Sequence, residues 1–388
     1  MRLMSDLCRM MAILAVFAVA IEAQAGENET PATVRTMRLP EGGIQPQVVA
    51  DENDVIHMIY FLGHPRAGDV FYMSSTNGGE SFSDPIRVNS QKDSTTIGAH
   101  LAIGKNGRAH VAWNGSHLAE PKAPSDMPPL LYARMNDEGT GFEEQQNVIR
   151  EHPHLDGGSS LAADRNGNVF VIWHAPIVGG HGEQDRRVWV ARSTDEGKTF
   201  ETEIIASDVP TGACGCCALK SFADSEGTLY TMYRTASKVV NRDMHMLVSR
   251  DAGNSFTNEK MHEWNVGQCV MSTADFIETD DDVYAAWETK MQVYFGKFDP
   301  ATGNVAERIA APGKGKMRKH PCLATSLDGQ VLLVWTEGLS WGRGGSVAWQ
   351  IFDNDGKPLL EENGGEDGVP KFSLVASFAT PEGFTIVY

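Results

Sequence analysis

Three of the six cysteines in this 388-residue chain fall within four residues, Cys214-Gly215-Cys216-Cys217. Cys269 and Cys322 follow, with His262 and His320 close to them in sequence. Thiolate and imidazole together form a soft ligand set suited to copper or zinc. Met271 and Met317 lie beside Cys269 and Cys322 and add thioethers, which favour Cu(I). The spacing is not that of a paired Cys-x-x-Cys finger. The same sulfurs serve equally as disulfides, Cys214 or Cys216 with Cys217, or Cys217 with Cys269. A free nucleophilic thiol is the third reading.

The redox setting bears on that choice. Arg2 and Arg9 precede an apolar run from Met10 to Ala20, and Ala23-Gln24-Ala25 offers a small-x-small cleavage site. Residues 1–25 therefore read as a secretory signal cleaved after Ala25, with residues 26–388 as the mature domain, secreted or periplasmic. Cys8 leaves with the signal, so five cysteines remain in an oxidising compartment. An odd count leaves at least one sulfur free, metal-bound or joined to another molecule.

The elements that must position these residues repeat along the chain. A turn followed by an apolar strand ending in an aromatic recurs at Tyr60, Trp113, Trp173, Tyr233, Trp287, Trp335 and Tyr388. The intervals are 53, 60, 60, 54, 48 and 53 residues. A strand-built period near 50 predicts the blades of one β-propeller rather than the two or three domains that length alone suggests. Each unit reads as four strands; in the fourth they start from ALKSFAD, TLYTMYR and MHMLVSR. The C-terminal FSLVASF and FTIVY supply two strands of a last unit, and TVRTMRL near the N-terminus adds an outer strand that closes the ring. Counting units in this way favours seven blades.

A second repeat follows the first: Ser75-x-Asn77-x-Gly79-x-Ser81-Phe82, Ser193-x-Asp195-x-Gly197-x-Thr199-Phe200 and Ser249-x-Asp251-x-Gly253-x-Ser255-Phe256. A weaker copy runs from Met135 to Phe142. Asp or Asn caps backbone N–H groups in a hairpin turn, and Gly takes the positive-φ position. The pattern is the Asp box, and the chain resembles the sialidase-like (BNR repeat) β-propellers. That resemblance implies an all-β fold of six blades, so six and seven both stand at this point. It further implies carboxylate recognition by three arginines, a tyrosine nucleophile with a glutamate partner, and an aspartate acid/base. TLYTMYR before NRDMHMLVSRDAGNSF is similar to the family strand that carries one of those arginines, which places it at Arg234; Arg318 matches a second. The chain departs from the family elsewhere. GGIQPQVV stands where an arginine–isoleucine–proline signature belongs, and Cys216 and Cys217 stand where the glutamate is expected. No nucleophilic tyrosine is evident.

In a propeller the loops entering the innermost strands share one face with the loops joining strands two and three. Nine of the twelve histidines and all five mature cysteines map to that face, which predicts a site at the channel mouth. Arg234, Arg242 and Arg318 are candidate anion anchors there, with Glu288, Glu337 and Asp243 as candidate acid/base carboxylates. His174, Arg186, Arg187, Trp341 and Arg343 are candidate ligand-binding side chains. The metal reading uses Cys214, Cys216, Cys217, Cys269, Cys322, His262 and His320.

Charge and composition bound the partners. The formal net charge is −18, which opposes nucleic acid and anionic lipid. No stretch approaches the roughly 20 apolar residues of a membrane span. A carbohydrate or small anionic ligand, bound or hydrolysed at the mouth, is the leading expectation. The alternatives are a metal-binding or redox propeller and a non-catalytic interaction scaffold.

Overall fold

A computed structural model describes residues 30–388 apart from residues 154, 156–157, 207–208, 239, 269, 280–281, 301, 306 and 341. The proposed signal segment, His154, Asp156, Cys269 and Trp341 lie outside the described residues. Each repeat unit becomes one antiparallel sheet because its apolar runs are too short for helices and end in turn residues. Six sheets have four strands in sequential order: residues 44–87, 100–147, 159–205, 220–262, 274–310 and 318–369, here blades 1 to 6. Blade 7 joins both ends of the ring. Ala376–Thr380 and Gly383–Val387 pair antiparallel, and Thr33–Met37 adds in parallel to Gly383–Val387. The fold is a seven-bladed β-propeller, so the six blades implied by the resemblance are corrected to seven. The N-terminal strand occupies the closing blade, as its sequence predicts, and so joins the two ends of the ring.

The repeating aromatics hold neighbouring blades together. Trp113, Trp173, Trp287 and Trp335 are fully buried, and Tyr60, Tyr233 and Tyr388 nearly so. Seven apolar clusters each combine side chains of two adjacent blades and together complete the circuit. Burial of one such aromatic contributes about 4–6 kcal/mol at the upper bound, from roughly 25 cal/mol per Å² over 150–250 Å².

The turns between third and fourth strands share one set of hydrogen bonds. The Ser193 hydroxyl donates to Asp195 Oδ1 at 2.7 Å, and Gly197 N–H donates to Ser193 Oγ at 2.9 Å. Ser75 with Asn77 and Ser249 with Asp251 repeat the arrangement, both at 2.8 Å. Gly197 has φ +80°, and a Cβ there would sit 1.7 Å from the Tyr132 hydroxyl of blade 2. Only glycine meets both demands. These turns lie at the opposite end from the loops described next, so they stabilise the ring without lining the mouth.

Candidate functional site at the channel mouth

Segments just ahead of the inner strands converge at one end of the channel. They enclose a cavity of about 560 Å³ to which all seven blades contribute. Gln45, Thr96, Asn114, Thr273, Ser340 and Ser373 present amides and hydroxyls to it, and Ile97, Leu339, Phe372 and Leu374 present apolar surface. Among the described residues lining it, Glu183 alone carries a carboxylate. Lys319 also lines the cavity, but its ammonium donates to the Val270 carbonyl.

Three of the sequence-derived candidates line this cavity: Cys216, Met271 and His320. His320 is half-buried, and its ring meets the Thr273 hydroxyl at 3.2 Å. Burial, with the Lys319 charge adding to it, pushes the His320 imidazole down to about 3, so it is neutral near pH 7.

Behind the wall lies the cysteine segment. Cys214 and Cys217 are free thiols and are buried. Cys216 is disulfide-bonded. The pairings of Cys217 expected from sequence are thereby corrected, since Cys217 is free. The three sulfurs lie within 4.8 Å of one another, and Cys214 Sγ is 3.4 Å from Cys216 Sγ. The Cys217 thiol donates to Cys214, and together with the Cys216 backbone N–H and the Arg242 charge it brings Cys214 down to about 7. Burial pushes the Cys217 thiol well up, so Cys217 keeps its proton.

Among the described residues, Cys322 and His262 of the wider metal set lie away from these sulfurs. Cys322 sits four residues into Arg318–Thr325, beyond a register shift, and lines a separate cavity of about 420 Å³ at the far end of the channel. It contacts Ser377 Oγ at 3.2 Å there, near the Lys220–Asp275 pair. His262 ends the outermost strand of blade 4, where its Nδ1 accepts the Trp287 indole N–H at 3.0 Å. Met317 is exposed on the loop ahead of blade 6. With Cys216 in a disulfide, Cys214 and Cys217 are, among the described residues, the two sulfurs of the cluster left to ligate, short of the four ligands of a structural zinc site.

The arginines are anchored to the scaffold through part of their donors. Arg234, 2 % exposed, donates to the Arg242 carbonyl at 2.6 Å, to Ser272 Oγ at 3.2 Å and to the Glu288 carbonyl. Its guanidinium also lies over Trp264 at 5.1 Å. Arg318 donates to Glu337 Oε1 at 3.2 Å, Gln292 Oε1 at 3.2 Å and the Ala311 carbonyl at 2.6 Å. Glu337 is further held by the Trp335 indole N–H at 2.8 Å. These bonds anchor both guanidinium groups, while Arg234 Nε and Arg318 Nη2 are buried without a hydrogen-bond partner. Arg234, Arg242 and Arg318 thus sit in three separate contacts, and none of the three lines the mouth cavity.

Arg242 makes the third contact, with Glu183. Its Nη2 donates to Glu183 Oε2 at 2.6 Å, and Glu183 Oε1 accepts the Gly215 N–H at 2.7 Å. Arg186 Nη1 lies 3.3 Å from the same Oε1. Glu183 thus ties the blade 3 loop to the cysteine turn of blade 4. Asp243 accepts the Trp264 N–H at 2.8 Å. Arg187 donates to the Arg186 carbonyl at 2.9 Å, and Arg343 to the Gly338 carbonyl at 2.8 Å. His174 is buried below Gly158, where a Cβ would come within 2.0 Å of its Nε2.

Glu288 is fully buried, and neither carboxylate oxygen has a hydrogen-bond partner of good geometry. Burial raises it to about 7 against the opposing pull of Lys319, Arg234 and the Ser272 hydroxyl. It is a neutral acid below neutral pH, set beneath Ser272 rather than in the cavity wall.

No protein-family model matches the chain, and no curated protein matches it. Solved structures with the same fold do. A Dyadobacter fermentans protein of unknown function aligns at TM-score 0.51 and 15 % identity, covering 80 % of this chain and 94 % of that one. A Penicillium chrysogenum α-L-arabinanase complexed with arabinobiose aligns at TM-score 0.50 and 14 % identity, covering 80 % and 93 %. A Fusarium graminearum α-L-arabinofuranosidase, also with arabinobiose, aligns at TM-score 0.52 and 11 % identity, covering 81 % and 93 %. At these identities the likeness is one of fold.

Proposed function

We propose that this chain is an exported carbohydrate-binding propeller that takes a neutral oligosaccharide at the channel mouth. The observation that carries the reading is the lining of the 560 Å³ cavity. Amides and hydroxyls match sugar hydroxyls, and Phe372 with its apolar neighbours matches a sugar's C–H face. The absence of an uncommitted guanidinium among the described lining residues favours a neutral glycan over a carboxylated one. The fold is also one in which two of the neighbours hold arabinobiose. Binding is favoured over hydrolysis, because glycoside hydrolysis ordinarily uses two carboxyl groups flanking the bond. Among the described residues the cavity offers one, Glu183, already engaged by Arg242 and Gly215. Export by residues 1–25, the Asp-box character of the turns and a single mature domain from residue 26 belong to the same proposal.

Calorimetric titration with a panel of neutral and acidic oligosaccharides, arabino-oligosaccharides included, tests it. At least one neutral glycan should bind to the wild type, and Ser340→Trp, which fills the cavity from a half-buried position, should abolish that binding. A blank panel, or binding that survives the filled cavity, refutes the reading.

A further inference from the structure

Resting on the glycan reading above, we propose that Gln45 and His320 are the specificity-determining side chains of the mouth. Two matching bulges turn them into the cavity, where they read hydroxyls of a sugar residue lying on Phe372.

Blades 1 and 6 share one local device. The inner strand Ile44–Ala50 loses register with its neighbour between Ile44 and Gln47, and Arg318–Thr325 does so between Lys319 and Cys322. Each interruption holds a residue followed by proline, Gln45-Pro46 and His320-Pro321. Proline has no N–H to give the ladder, so it fits a bulge, and a bulge re-aims the side chain beside it. Gln45 and His320 both line the mouth cavity. Their φ angles are +55° and +52°, a left-handed backbone that a residue with a side chain adopts at a cost. Met271 and Phe372, at +48° and +63°, line the same cavity. Backbone strain of this kind gathers at ligand clamps, where the surrounding structure holds it.

The polar atoms left open are those a sugar needs. Gln45 N–H donates to Ser373 Oγ at 3.1 Å, and its Nε2 donates to the Phe372 carbonyl at 2.8 Å. The amide is fixed by that bond, and its Oε1 makes no hydrogen bond among the described residues. His320 Nδ1 meets the Thr273 hydroxyl at 3.2 Å, and Nε2 has no partner among the described residues. With the Thr273 hydroxyl donating to Nδ1, Nε2 carries the ring proton. The pair then offers one acceptor and one donor, which suits sugar hydroxyls. Phe372 precedes the inner strand of blade 7, and blade 7 packs between blades 6 and 1. An apolar ring therefore comes between the two polar groups in the circuit of the mouth. Burial keeps the His320 imidazole neutral, so it adds no charge to the site.

The test is calorimetric titration of the full chain with its tightest-binding neutral oligosaccharide and with the monodeoxy analogues of that sugar. The wild type should bind at least two analogues about tenfold more weakly than the parent, the effect of one lost hydrogen bond in each. Gln45→Gly and His320→Gly keep the left-handed backbone accessible and remove the side chain. Each should bind the parent about tenfold more weakly and no longer distinguish one of those analogues from it. Met271→Gly relieves the same backbone without removing a hydrogen-bonding group and should keep the full discrimination. Equal affinity of the wild type for the parent and every analogue overturns the inference, whether or not the variants fold. So does full discrimination in both Gln45→Gly and His320→Gly, which leaves the glycan reading standing. A wild type that binds no neutral sugar refutes the glycan reading, and this inference with it.

Discussion

Replacing Glu288 with glutamine should change how the stability of this propeller depends on pH. The folded protein holds the Glu288 proton up to about 7, because burial disfavours the charged form, whereas the unfolded chain releases it near the ordinary value of 4.5. Between those limits the native state binds the additional proton, so stability falls as pH rises. This contribution is complete below about 4.5, is lost progressively up to about 7, and changes little above. Some 2.5 pH units at about 1.4 kcal/mol each give a loss of about 3 kcal/mol. Glutamine fills the same space and cannot ionise, so the variant should gain about 3 kcal/mol on the wild type between pH 4.5 and 8. Urea unfolding of both proteins across this range measures it. The difference between the two profiles is the quantity to read, since His262 and His320 also titrate differently folded and unfolded, and their contributions cancel. A carboxylic-acid carbonyl band in the infrared spectrum, present at pH 6 and lost in the variant, is the independent check. Parallel stability profiles, or a variant less stable at pH 8 than the wild type, would refute the assignment of a buried neutral acid beneath Ser272.

Three further outcomes follow from the same geometry. Trp173→Ala removes a fully buried interblade aromatic and should cost about 3–5 kcal/mol in denaturant unfolding; a loss under 1 kcal/mol would contradict the role given to the repeating aromatics. Asp195→Ala removes the acceptor of the Ser193 and Thr199 bonds and should cost about 1–3 kcal/mol, with ligand binding at the mouth unchanged. Glu183→Gln keeps an acceptor for Gly215 but removes a negative charge that opposes ionisation of Cys214. The Cys214 thiol should then titrate lower still by carbon NMR of labelled cysteine, and an upward shift would count against the tether.

The blades were legible because each repeat carries its own local instruction. The aromatic that ends strand two and the Ser-x-Asp-x-Gly turn are decided within a dozen residues, and register then assigns every loop to one face. The seventh blade was legible for the same reason: FTIVY and TVRTMRL are strands in need of a sheet. The site was less legible, because residue type and loop position do not say which way a side chain points. Arg234 and Arg318 stand near incoming loops yet turn between blades, where Ser272, Gln292 and Glu337 hold them. Cys322 was expected at the rim, but the register shift after Lys319 carries it down the channel. The neutral residues that line the cavity were missed because attention to charge and sulfur passes over them. Thr96, Ala218, Thr273 and Leu374 all fall within four residues ahead of an inner strand. That position, read in every repeat, would have found them.

A crystal structure of the protein soaked with the tightest-binding neutral oligosaccharide tests the central claim most directly. The account predicts the sugar in the mouth cavity, its hydroxyls on Asn114 and Thr273 and a C–H face against Phe372. A sugar bound on the outer strands or at the Cys322 end of the channel, with the mouth empty, would contradict it.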